Sequence, residues 1–232
     1  PVAQADRMSL LRYGVALGLM NLLFYMSLRT IPFGIAVAIE FSGPLAVALY
    51  SSRKPVDFVW LVLAIAGLGL LLPFGGNVQA LDVTGVLYAL AAAAFWGAYI
   101  VFGKRLGHLH AGHSVALGLT VAAITVVPFG IWHAGAALLA PQTLLIGLVV
   151  AAISSAIPIS LEMVALKRLP QEAFGIMTSM EPAVAALLGL LMLNEQLNAQ
   201  QWWAILCIMA AAAGSTLTAR REPPVVAAEL VQ

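Results

Sequence analysis

Charge is what this sequence has least of. Only 9% of its 232 residues are charged and 62% are hydrophobic, against roughly 25% and 45–50% in soluble domains. So few charges cannot cover a water-facing surface, and we therefore expect much of the surface to face lipid. The net charge of +1 gives no reason to expect a nucleic-acid partner.

Residues and motifs that carry chemistry are also scarce. The one cysteine, Cys207, excludes an internal disulfide and a Cys-based zinc cluster. No nucleophile elbow, P-loop or dinucleotide fingerprint is present. His108, His110 and His113 fall in a loop without Cys or carboxylate, a composition typical of a solvated loop. The sequence therefore predicts no enzyme, no cofactor and no metal site.

Long apolar runs are abundant instead. A bilayer core of about 30 Å requires roughly 20 apolar residues in a helix, and transmembrane strands would show shorter, alternating segments. Eight segments come close to the helical length, and short polar separators lie between them: 8–28, 32–51, 57–75, 83–103, 113–134, 142–166, 172–193 and 198–218. We predict an all-α integral membrane protein, a bundle of about eight transmembrane helices.

The basic residues agree with this count. If successive loops lie on opposite sides of the membrane, one side receives a single basic residue, Arg29. The other side receives the remaining ten: Arg7, Arg12, Arg53, Lys54, Lys104, Arg105, Lys167, Arg168, Arg220 and Arg221. Short loops rich in Lys and Arg stay in the cytoplasm. We predict a multi-pass protein of the bacterial inner membrane with a cytoplasmic C-terminus.

An internal repeat divides the chain. YMSLRTIP (25–32) is similar to MVALKRLP (163–170), at an offset of 138 residues that also relates Pro44 to Pro182. Residues 1–76 would then be the last three helices of one repeat, 82–219 a complete second repeat, and 220–232 a disordered cytoplasmic tail. We expect two further helices before residue 1, giving ten in two halves of five. Because five is odd, the halves would be inverted, as in many secondary transporters.

Several segments carry a family resemblance over nearly the whole chain. They are IPFGIAVAIEFSGPLAVALYSSRKPVDFVW (31–60), SLEMVALKRLP (160–170), FGIMTSMEPAVAAL (174–187) and GSTLTAR (214–220). They resemble the EamA-type branch of the drug/metabolite transporter superfamily. The resemblance implies a ten-helix inner-membrane exporter of small neutral amino acids such as threonine and homoserine, driven by the proton gradient.

Two glutamates are the main candidates for the chemistry. Glu40 and Glu181 are predicted near mid-membrane, where an ionisable group costs at least about 2.5–3.5 kcal/mol, and no Lys or Arg is expected at their depth. Each precedes a proline, Pro44 or Pro182, that leaves a carbonyl without its usual donor. We predict that the two carboxylates line a central cavity, binding a proton or a substrate ammonium; packing by hydrogen bonds is the alternative.

Further residues are weaker candidates. Asn21 with Tyr25, and Trp96 with Tyr99, share helix faces and are predicted to contact substrate, although aromatic residues are also common membrane anchors. Glu162 lies near a cytoplasmic helix end, and Glu195 is expected to terminate or cap a helix. The expected partners are a small amino acid, protons and the lipid bilayer, and the sequence leaves a homodimer open.

Other functions remain as alternatives at this stage. A related exporter of another metabolite or drug would share every feature above. An intramembrane lipid-modifying enzyme would show clustered Asp or His with Arg at one membrane face, which the sequence lacks. A non-transporting structural subunit would not need midplane glutamates beside prolines.

Overall fold

The structure, a computed structural model, describes residues 4–51, 55–71, 81–106, 111–158, 161 and 177–218. These ranges contain helices and no strand, which confirms the all-α prediction. The α-helices are α1 (Gln4–Ser27), α2 (Phe33–Glu40), α3 (Ser42–Ser51), α4 (Pro55–Leu71), α5 (Val83–Arg105), α6 (Ala111–Ala134), α7 (Pro141–Ala151), α8 (Glu181–Met192) and α9 (Ala199–Thr218). A 3₁₀ turn, Gly135–Leu139, precedes α7, and a π-helical turn, Ala152–Ala156, follows it.

The apolar helices agree with the predicted spans. Among the described residues, four helices are long and apolar enough to cross a membrane: Asp6–Ser27, Val83–Arg105, Val115–Leu139 and Ala199–Thr218. Four are shorter: Phe33–Val47, Phe58–Leu71, Pro141–Ser155 and Met177–Met192. Every predicted segment overlaps one of these eight helices. The predicted tail at 220–232, Glu162, His108 and His110 lie outside the described residues, as does the side chain of His113.

Two of the predicted spans are interrupted near their middle. The span predicted at 32–51 divides at Phe41, between α2 and α3. Pro44, in the first turn of α3, has no N–H to donate to the carbonyl of Glu40, so the regular bonding ends there. In the span predicted at 172–193, the helical residues 177–179 are followed by a turn at Met180. Helix α8 then begins at Glu181, and Pro182 is its second residue, a position that tolerates proline.

Small residues set the distances between helices. Gly14 and Gly18 of α1 lie against α6, and Gly43 of α3 lies against the Ala93 carbonyl of α5. On the far side of the bundle, Gly67 of α4 contacts α9. Apolar burial drives helix association only weakly in lipid, so close packing at small residues supplies much of the attraction.

The most buried element is α2. Six of its eight residues are buried, among them Ile35 and Ile39, and it contacts α5, α8 and α9. In contrast, α7 has no buried residue within the described part of the chain. The interrupted helix thus lies at the centre of the bundle, where its free backbone groups are shielded from lipid.

Hydrogen bonds tie the two ends of α4 to α9. The Trp60 Nε1–H donates to Thr218 Oγ1 over 3.0 Å at one end, and Gln200 Nε2 donates to the Leu70 carbonyl over 2.7 Å at the other. The two helices are therefore antiparallel. The start of α4 therefore lies beside the end of α9, and the charge pattern assigns these two helix ends to the same side of the membrane.

Candidate functional site

Glu40 and Glu181 lie opposite each other across two antiparallel helices. α2 and α8 meet where Gly34 lies against the backbone of Ala186. Glu40 lies six residues after Gly34, and Glu181 lies five residues before Ala186. Because the helices are antiparallel, this register brings Glu40 opposite Glu181. Their carboxylates are close enough to interact electrostatically. The structure thus brings together the two glutamates that the sequence singled out from separate halves.

Glu40 is a buried ionisable residue. Its side chain is only 7% exposed and belongs to the same buried helix as Ile35 and Ile39. Among the residues that the structure describes, no hydrogen bond or ion pair is made by the Glu40 carboxylate. Two ionised carboxylates at close range repel each other, and a cation between them relieves that repulsion. The arrangement suits a monovalent cationic group.

A metal ion has little support at this position. Within the described ranges, no group of three or more His, Cys, Asp or Glu side chains could hold one.

Trp96 and Tyr99 extend from α5 toward different neighbours. The Trp96 ring meets Phe41 edge-to-face, with centroids 5.8 Å apart, beside the interruption that follows Glu40. Tyr99 instead stacks on Tyr13 of α1 at 4.8 Å, and the Tyr13 O–H donates to the Tyr99 oxygen over 3.4 Å. Trp96 is therefore placed near the carboxylate pair, while Tyr99 belongs to a separate contact between α1 and α5.

Asn21 and Tyr25 lie on the exposed face of α1. The Asn21 side chain donates to the Leu17 carbonyl of its own helix over 2.9 Å, and Tyr25 is 52% exposed beside Phe24. The structure does not bring this pair together with Glu40. Their predicted contact with substrate stays a prediction.

Glu195 caps helix α2, which is 162 residues away in the sequence. Its two carboxylate oxygens accept the Phe33 N–H at 3.0 and 2.8 Å, which joins the α8–α9 connection to the first residue of α2. Capping is one of the roles that the sequence predicts for Glu195. A capping residue usually bonds to the helix next to it in the sequence, whereas Glu195 bonds to a distant one.

Sequence reasoning missed two aromatic residues near these positions. Tyr13 is buried against Tyr99, and Phe41 lies at the interruption itself. The only sequence indication for Phe41 is its place between Glu40 and Pro44. Tyr13 has none, because a lone tyrosine in an apolar run is ordinary.

Several known proteins are similar to this sequence over most of its length. Residues 83–217 match the EamA-like transporter family. The threonine/homoserine exporter RhtA of Escherichia coli K12 is 53% identical over 199 residues, which are 86% of this chain and 68% of that protein, and RhtA of Salmonella typhimurium SL1344 has the same identity and coverage. An uncharacterized transporter of Bacillus subtilis, YwfM, is 29% identical over 157 residues, 66% of this chain and 52% of that protein. No solved structure matches the chain. With its apolar helices, the chain is a multi-pass membrane transporter, not an enzyme, and it belongs to the EamA-like transporter family.

Proposed function

We propose that this protein exports threonine and homoserine across the bacterial inner membrane. The identity of 53% to proteins named for that export supports the substrate class. The observation that carries the proposal is the buried Glu40 carboxylate beside Glu181, at the interruptions of two membrane helices. A neutral amino acid carries an ammonium group, which is the kind of cation that a carboxylate pair binds.

Competition for one carboxylate pair also provides a means of coupling. A proton and a substrate ammonium group are both cations that relieve the repulsion between Glu40 and Glu181. If only one can occupy the pair at a time, then a proton arriving from outside releases the substrate, and a new substrate inside displaces the proton. Exchange of this kind uses the proton gradient to drive export. It requires no metal and no nucleotide.

The membrane orientation is part of the proposal. The ratio of ten basic residues to one supports a cytoplasmic C-terminus, with Glu195 and Phe33 on the opposite, extracytoplasmic side. The 138-residue offset supports two inverted repeats, and the antiparallel pairing of α2 with α8 agrees with that symmetry.

The substrate is tested by measuring efflux in cells. The full-length gene is expressed in cells loaded with labelled threonine or homoserine, and export and resistance are compared with a vector control. Export above background is expected for both compounds. Background efflux with the protein present in the membrane would refute these substrates, and a broader panel of amino acids and metabolites would then identify the solute.

The roles of the two glutamates are separated by two transport assays. Glu40→Gln and Glu181→Gln remove a charge with little change in volume, and Ile39→Val controls for a small packing change beside Glu40. A residue that binds only the proton loses gradient-driven efflux but retains substrate exchange. A residue that binds the ammonium group loses both. Full activity of both Gln variants at normal protein levels would contradict the proposed site.

Proton coupling has its own test. A protonophore should reduce net efflux toward the rate of the vector control without reducing exchange. Efflux that continues unchanged under the protonophore would exclude the proton gradient as the driving force.

A further inference from the structure

The short helix α2 begins without a cap of its own. Pro32 precedes it and makes no side-chain capping bond, since proline has neither a polar side chain nor an N–H. The first N–H groups of a helix have no partner within it and need an acceptor. Elsewhere the chain solves this locally: Asp82 accepts the Thr84 N–H at the start of α5 over 3.3 Å.

Glu195 supplies the missing acceptor from 162 residues away. Both of its carboxylate oxygens lie within 3.0 Å of the Phe33 nitrogen. A carboxylate at a helix N-terminus gains from the helix dipole, and a bond to an ionised acceptor is roughly twice as strong as a neutral one. The contact joins one predicted repeat to the other.

The end of α8 is shaped to hold this carboxylate. Asn194 adopts a left-handed conformation, with φ of 55°, which asparagine tolerates better than most residues. The chain then turns back, and the Glu195 N–H donates to the Gly189 carbonyl over 3.0 Å. A Cβ on Gly189 would overlap Glu195 Oε2. Glycine at this position therefore leaves the space that the carboxylate occupies.

The carboxylate pair lies at the opposite end of the same two helices. Glu40 is the last residue of α2 and Glu181 the first of α8, whereas Phe33 and Gly189 lie toward their extracytoplasmic ends. Between the two ends, Gly34 is in close contact with Ala186. The contacts from Glu195 to Gly34, which we call the seam, therefore lie between Glu40 and the extracytoplasmic ends of both helices, where a path from that side to Glu40 would run.

We infer that Glu195 is a positioning residue for transport, a latch that holds α2 against α8 and keeps the extracytoplasmic side of the path closed. This inference deepens the proposed function and rests on it for the direction of transport. Substrate release to the outside requires α2 to separate from the end of α8. The Glu195–Phe33 bond must break in that step and form again before the next substrate is loaded.

The test measures how often the seam opens to the outside. In the full-length protein, Cys207→Ser provides a cysteine-free background for this part of the chain, and Ile35→Cys places a thiol at a fully buried position beside Gly34. A membrane-impermeant maleimide added to intact cells labels this thiol only when the seam is open. Glu195→Ala, Glu195→Gln and Gly189→Ala perturb the latch in three ways, and Gln200→Ala, which removes the bond between α9 and α4, is the control.

The expected labelling follows from the strength of a helix cap. Loss of a capping acceptor shifts an equilibrium on the order of tenfold, so Glu195→Ala should label about tenfold faster than the parent. Glu195→Gln keeps a neutral acceptor and should be intermediate. Gly189→Ala should resemble Glu195→Ala because it displaces the carboxylate. Gln200→Ala should label like the parent.

Transport kinetics give a second readout. A seam that opens more often leaves less of the protein ready to load substrate from inside, so the apparent KM for internal threonine should rise as labelling rises. Equal labelling rates in Glu195→Ala, Gly189→Ala and the parent would overturn the latch. Faster labelling in a protein that exports neither threonine nor homoserine would uphold the latch and refute the proposed substrates.

Discussion

The contact between Gly34 and Ala186 can be tested by adding a single methyl group. Gly34 lies in α2, two turns from Glu40, and Ala186 lies in α8. A Cβ on Gly34 would lie 2.6 Å from the Cβ of Ala186 and closer still to its Cα. Backbone atoms cannot move aside as a flexible side chain can, so Gly34→Ala should force the two helices apart.

The magnitude follows from two opposing effects. Overpacking a close contact costs about 1–3 kcal/mol. Replacing a helical glycine with alanine returns up to about 1 kcal/mol through helix propensity. With the full propensity gain, the net loss relative to the parent is at most about 2 kcal/mol, or roughly a 30-fold shift in the folding equilibrium. Relative to a glycine-to-alanine change that meets no neighbour, the loss is about 1–3 kcal/mol.

Gly69→Ala is the matched control. Gly69 lies in α4, and a Cβ there would meet nothing within 4 Å among the described residues, so only the propensity gain applies. Thermal unfolding of the purified full-length proteins in detergent should show Gly34→Ala less stable than the parent and Gly69→Ala equal or slightly more stable. Adding Ala186→Gly should restore part of the loss, because it removes one of the three close contacts that the new Cβ makes with Ala186.

The opposite result would have a clear meaning. If Gly34→Ala is as stable as Gly69→Ala, then α2 does not lie against α8 in the resting protein. The register that places Glu40 opposite Glu181 would be wrong as well.

Three other variants test contacts away from this seam. Trp60→Phe loses the 3.0 Å bond to Thr218 and should lower the free energy of unfolding by about 0.5–1.5 kcal/mol; an unchanged melting temperature would count against the antiparallel pairing of α4 with α9. Gln201→Ala removes the Oε1 acceptor of the 2.9 Å bond from the Asn198 N–H at the start of α9 and keeps the 2.8 Å bond from the Gln201 backbone N–H to Asn198 Oδ1, so thermal unfolding should report a loss of about 1 kcal/mol. Asn21→Ala removes a bond within one helix at an exposed position, so stability should change by less than about 0.5 kcal/mol. A fall in efflux at that unchanged stability would support substrate contact by Asn21, and normal efflux would exclude it.

Much of the fold could be predicted because the membrane imposes one length scale. A helix that crosses hydrocarbon needs a long apolar run, so the segments around α5 and α9 are visible from composition alone. The separators between them carry charge that lipid excludes. Neither argument requires knowledge of which helices touch.

Part of the site was also predictable, for a different reason. Glu40 and Glu181 stand out in the sequence because a carboxylate is costly at mid-membrane depth and each has a proline nearby. Their approach to each other follows from the register of α2 against α8, which the sequence does not encode locally. The repeat offset indicated equivalent helices, and it could not show that those helices are in contact.

The parts that escaped prediction depend on contacts between distant segments. Pro44 indicates an interruption, but the turn falls at Phe41, because the bond that proline cannot make is the one to the Glu40 carbonyl. The spacing of Asn21 and Tyr25 shows that they share a helix face. It does not show whether that face is directed into the bundle or away from it. The partner of Glu195 is 162 residues away, beyond the reach of any local capping pattern.

Helix α2 is short enough to link the carboxylate pair and the Glu195 latch directly. From Phe33 to Glu40 a helix rises about 10 Å, and buried neighbours keep so short an element straight. The interruption at Phe41 ends α2 before α3, and Gly43 of α3 lies against α5. A tilt of α2 alone can therefore change the spacing of Glu40 from Glu181 at one end and break the Glu195 bond at the other. The change at Glu40 and the breaking of the Glu195 bond can be coupled directly, without a chain of intermediate residues, because they take place at the two ends of one rigid helix.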